Sequence, residues 1–163
     1  MRRILLVDDN SPFVNALAET LRIYRKDALV ETASSAEEAL ALFAVTQYDA
    51  IISDFRLSGM DGFAFLEQCK VLQPNTPVIM ITGYGDVEME RQAARRGAYA
   101  FLHKPIDPDV LTSVVARATL TANLSRPTAD PFVEKSEEIL RKIRQNAEHL
   151  ETKFRRWMQS QPN

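Results

Sequence analysis

Short apolar runs alternate with helix-spaced segments through most of the chain. ILLV (4–7), ALVETA (28–33), DAIIS (49–53), PVIMI (77–81) and AYAFLH (98–103) are rich in β-branched or aromatic residues and bounded by turn formers. They predict five strands, four of them buried on both faces. Between them, apolar positions three and four apart predict helices. The faces are Phe13, Ala16, Leu17, Thr20 and Leu21; Ala36, Ala39, Leu40 and Phe43; and Phe63, Leu66, Cys69 and Leu72. Val87, Arg91 and Ala94, then Val110, Val114, Val115 and Ala118, complete the set. Ser11 ahead of Pro12 reads as an N-cap, Ser35 to Glu38 as a capping box, and Gly97 as a helix C-cap.

Five strand–helix units predict a parallel sheet with helices on both faces, because parallel strands need crossover connections. The fold class is doubly wound α/β, with 2-1-3-4-5 as one of two common strand orders. Ligands of such sheets sit beyond the carboxyl ends of the strands, at the switch point between the first and third. The residues at those ends are Asp8 and Asp9, then Ser34, Asp54, Thr82 and Lys104. With that order, three carboxylates, one hydroxyl and one ammonium face one small volume.

Two unit charges about 4 Å apart repel by roughly 4 kcal/mol at an effective dielectric of 20. One lysine does not balance three acids, whereas a hard divalent cation with oxygen ligands does, and Mg²⁺ suits a site with positions left for water and phosphate. A carboxylate can attack phosphorus to give an aspartyl phosphate. Phosphoryl transfer is mainly positioning and charge neutralisation, which Mg²⁺ and Lys104 would supply while the Thr82 hydroxyl holds a phosphate oxygen. Asp54, at the central strand, takes the nucleophile's role. Each residue alone is a common turn or cap former; their joint placement carries the reading.

Composition adds limits. The 163 residues are 45% hydrophobic and 26% charged with net charge −2, as in a soluble globular protein, and nothing there calls for DNA or a membrane. The apolar run after Met1-Arg2-Arg3 is too short for a signal peptide, and no run reaches a membrane span. The single Cys69 rules out an internal disulfide and fits the reducing cytoplasm.

The pieces ILLVDDN, DAIISDFRLSGMDGF, PVIMITGYGD and GAYAFLHKPID together resemble a response-regulator receiver domain of two-component signalling, over about residues 2–121. The resemblance implies that Asp54 is phosphorylated by a histidine kinase and also ligates Mg²⁺. It implies that Asp9 is a direct ligand, Asp8 acts largely through water, and the Arg56 backbone carbonyl completes the protein's share. Thr82 and Lys104 would bind the phosphoryl group, Lys104–Pro105 would be cis, and Phe101 would rotate inward as the switch. The helix 4–strand 5–helix 5 face would carry the signal. Arg56 and Tyr84 stand where the family tunes the lifetime of the acyl phosphate. The pieces TGYGD and GAYAFLHKPID look most like receivers of ATP-dependent transcriptional activators, whose ATPase and DNA-binding modules have no room here.

The layout is therefore a receiver at 1–121, a proline-bearing linker at 122–131 and an amphipathic helix at 132–158. In that helix Val133, Leu140, Ile143, Ala147, Leu150, Phe154 and Trp157 share a and d positions of one heptad frame. Its seven Lys and Arg against five Glu give +2, leaving −4 for the rest. Burying such a stripe calls for a second copy, the receiver's own surface or an unknown downstream protein. Two other functions stay open: a phosphorylation-independent scaffold, and an aspartate-nucleophile phosphatase, which usually wants a second acid where Arg56 stands.

Overall fold

The structure, a computed structural model, describes residues 1–124. Five strands, β1 (Arg2–Val7), β2 (Ala28–Ala33), β3 (Ala50–Asp54), β4 (Val78–Thr82) and β5 (Ala100–His103), alternate with five helices. The helices are α1 (Ser11–Tyr24), α2 (Ala36–Val45), α3 (Gly62–Leu72), α4 (Val87–Arg95) and α5 (Pro108–Leu124). All strand pairings are parallel, in the order β2-β1-β3-β4-β5. The predicted fold class and strand order are both observed.

Strand residues alternate between two cores, as the pleat requires. Ile4, Leu6, Ile52, Ile79 and Ile81 pack with Val14, Ala18 and Leu21 of α1 and Leu111, Val114, Val115 and Ala118 of α5. Leu5, Val7, Ile51, Val78 and Met80 face the other way, onto Ala39 and Phe43 of α2 and Phe65, Leu66 and Cys69 of α3. Each large side chain so buried contributes roughly 1.5–3 kcal/mol.

Several local expectations shift. Only β1, β3 and β4 are closely buried, since β2 and β5 form the sheet edges and stay partly exposed. The α1 face is centred on Val14, Ala18 and Leu21, with Ala16 exposed. In α4 only Ala93 is buried, and Val87, Arg91 and Ala94 point outward. The α1 cap is Asn10, whose side chain accepts from the Phe13 N–H, so Ser11 already belongs to the helix. Ser35 accepts from the Glu38 N–H as predicted, but the Glu38 carboxylate reaches back to Ser34. Gly97, with φ +89°, ends α4 in a Schellman turn: Gly97 N–H donates to Ala94 and Ala98 N–H to Ala93. Helix α5 runs through Leu124. The rest of the expected linker and the 132–158 helix lie outside the described residues.

Candidate functional site

The carboxyl ends of β1, β3, β4 and β5 meet at one rim, so side chains distant in sequence are carried there by the register alone. Asp8 follows β1 and Asp54 ends β3, and both are nearly enclosed, at 6% and 8% exposure. Lys104, just past β5, is held by its N–H donating to the Thr82 carbonyl. Its Nζ lies 2.9 Å from Asp8 Oδ2 and 2.7 Å from Asp54 Oδ1. Burial alone would lower the Lys104 pKa, but the hydrogen bonds and charges of Asp54 and Asp8 outweigh it and raise the value above the usual 10.5. The Lys104–Pro105 peptide is cis.

The remaining oxygens are also engaged. Asp8 Oδ1 accepts from the Asn10 N–H at 2.8 Å, and Asp54 Oδ2 from the Arg56 N–H at 2.8 Å. Such charge-assisted bonds fix each carboxylate's orientation. Thr82 is buried, and its hydroxyl is closed on its own loop: Oγ1 donates to the Tyr84 carbonyl at 3.0 Å and accepts from the Tyr84 N–H at 3.1 Å. Asp9 is exposed, with Oδ2 accepting from Ser58 Oγ at 2.6 Å. Among the described residues, no three acidic, histidine or cysteine side chains converge as a ligand set. The structure thus unites Asp8, Asp54 and Lys104 directly and leaves Asp9 and the Thr82 hydroxyl engaged elsewhere.

Phe101 is half-buried, its ring 6.3 Å from that of Phe55 and 5.5 Å from that of His103. Gly85 must stay bare beside it, because a Cβ there would lie 2.8 Å from Thr82 Cγ2 and 3.0 Å from Phe101 Cε1. Arg56, two residues after Asp54, stacks on Tyr84, two residues after Thr82, with the guanidinium carbon 5.2 Å from the ring centroid. Two residues escaped the sequence reading. Phe13 places its ring 4.1 Å from Lys104 Nζ, where a cation gains from the π face, and Ser58 restrains Asp9. Neither has a sequence signal, since their partners lie 91 and 49 positions away.

Residues 4–116 match the response regulator receiver domain. The chain belongs to that family. The receiver is 37% identical over 115 residues to the C4-dicarboxylate transport transcriptional regulatory protein DctD of Rhizobium meliloti, covering 71% of this chain and 25% of DctD. It is similar to a solved receiver domain from Clostridium thermocellum, with TM-score 0.71 and 29% identity over 76% of this chain and 98% of that one. NtrX from Brucella abortus, solved with ATP, matches with TM-score 0.69 and 36% identity over 75% of this chain and 28% of NtrX. The chain spans about a quarter of the length of curated relatives such as DctD. Receivers are signalling domains, and accepting a phosphoryl group is the family's function. No helix among the described residues is long and apolar enough to cross a membrane.

Proposed function

We propose that this receiver takes a phosphoryl group from a histidine kinase in the cytoplasm onto Asp54, in a Mg²⁺-dependent step, and passes the change to its α4–β5–α5 face. The observation that carries the reading is the buried Asp54 carboxylate paired with Lys104, which also binds Asp8. An Asp54 oxygen attacks phosphorus, and the bond from phosphorus to the donor's nitrogen or oxygen breaks, its electron pair leaving with the donor. The attacking carboxylate gives up its own charge in the new bond, while the phosphoryl group brings close to two. Lys104 then favours the phosphoryl oxygens over Asp54.

The donor set fits a magnesium ion in chemistry: two enclosed carboxylates, a third on the next residue, and the Arg56 carbonyl beside the acceptor. Asp9 and Asp54 would ligate it directly, with Asp8 acting through water. When bound, it neutralises charge on the moving group. Thr82 turns its hydroxyl from Tyr84 to a phosphoryl oxygen, and Phe101, beside Gly85 and Thr82, follows inward. The exposed Tyr84, Val87, Tyr99 and Val110 lie on the segments that carry the change. The stripe at 132–158 joins two copies or engages a downstream protein, with no direct DNA contact. Arg56 lies against Tyr84 where a phosphatase would place an acid, which favours signalling over turnover.

Incubation with Mg²⁺ and acetyl phosphate should label the wild type and not Asp54→Asn. Labelling that survives the substitution removes Asp54 from the role. Mass measurement in solution, with and without a phosphate mimic, tests the stripe.

A further inference from the structure

The Asp9 carboxylate accepts a hydrogen bond from Ser58 Oγ, and the loop between β3 and α3 presents that hydroxyl firmly. Leu57 is buried, Gly59 takes φ +88°, and Arg56 bridges to Asp61, whose carboxylate caps α3. The Ser58 hydroxyl is therefore delivered to Asp9 by a braced turn. At 2.6 Å the bond has the length of a charge-assisted O–H···O⁻ contact. Leu57 is buried in the core and the Asp61 carboxylate caps α3, while Ser58 is exposed.

We propose that Ser58 is a positioning residue for the cation site: its hydroxyl holds the Asp9 carboxylate and so sets the magnesium concentration at which Asp54 becomes competent. The inference rests on the reading that Asp8, Asp9 and Asp54 hold Mg²⁺. With Asp9 on Ser58, no three acids converge among the described residues, and Lys104 is the cation that pairs with both Asp8 and Asp54. A site whose competent arrangement is only partly populated binds more weakly by that fraction. Removing the hydroxyl frees Asp9 and raises the competent fraction. A hydroxyl–carboxylate bond at an exposed position corresponds to about a 3- to 10-fold change.

The test is calorimetric titration of Mg²⁺ into the full chain, without phosphodonor, for the wild type, Ser58→Ala, Ser58→Thr and Ser58→Val. Thermal melts by circular dichroism confirm that each variant is folded. Ser58→Ala and Ser58→Val should bind about 5-fold more tightly, and Ser58→Thr, which keeps the hydroxyl, should stay within about 2-fold of the wild type. Thr and Val differ little in shape, so a difference between them reports the hydrogen bond and not the packing. Unchanged or weaker binding in Ser58→Ala overturns the proposal, weaker binding making Ser58 a support for Asp9 as a ligand. Acetyl-phosphate labelling of the wild type in parallel separates two failures. Normal labelling with unchanged Ser58→Ala affinity removes only the role of Ser58. A wild type that neither binds magnesium nor labels removes the reading of the acids, and this inference with it.

Discussion

The β1–β3 side of the rim and the α4–β5 side are built on opposite principles. On the first, Asp8 and Asp54 are enclosed and all four carboxylate oxygens have a donor, from Lys104 or a backbone N–H. On the second, α4 buries a single residue, Val87 is 73% exposed, Tyr84 75%, and Phe101 is half-buried at an edge strand. A saturated polar network fixes atoms for chemistry, because any displacement strands a charge. A helix held by one buried alanine and a few polar contacts moves at little cost. The chain places its saturated polar network next to a loosely packed helix.

Breaking the rigid side should have the largest effect. Lys104→Met leaves Asp8 and Asp54 facing each other without a cation and should cost about 3 kcal/mol in urea unfolding. The same pair gives a pH signature. Asp54 and Asp8 hold the folded Lys104 pKa above 10.5, so its stabilisation is fully present below that pH. It is lost as pH rises through the folded value, and Lys104→Met should not show that loss. Gly62→Ala comes next, because its Cβ would lie 2.6 Å from both Cδ2 and the carbonyl oxygen of Phe55; about 2 kcal/mol is expected. Gly97→Ala forces a side chain into a positive-φ turn and should cost about 1 kcal/mol by the same measurement. On the loose side, Val87→Ser should stay within about 0.5 kcal/mol. A Val87→Ser cost larger than that of Gly62→Ala would erase the contrast.

Much of this was legible in the chain. The apolar runs around Ile4, Ile51 and Ile79 have no other comfortable place than a sheet centre, and the chemistry at their ends, Asp8, Asp54 and Thr82, followed from that. Cys69, placed on the apolar face of the third helix, is fully buried, and burial pushes its pKa up to about 12. What failed was local. A three- and four-residue rhythm does not distinguish the stripe through Ala16 from the one through Val14 and Ala18, because the two are adjacent on the same helix. In α4 a polar sequence still forms a helix when Asp86 caps it, since the carboxylate accepts from the Met89 N–H, and rhythm then says nothing about burial. Asp9 was placed with Asp8 in one acidic pocket, yet successive residues at a strand end diverge, and only the fold shows the Ser58 hydroxyl bonded to Asp9.

Thr82 has a consequence for how sharply such a protein can respond. Its hydroxyl already has a donor and an acceptor in Tyr84, so turning elsewhere exchanges one set of bonds for another. Exchanges of this kind leave a net difference of only about 1 kcal/mol. With the phosphoryl oxygens of the proposed acyl phosphate as the second partner, the two orientations would differ little in free energy and both would be populated. The proposed switch would then answer by a graded occupancy, not by an all-or-none step.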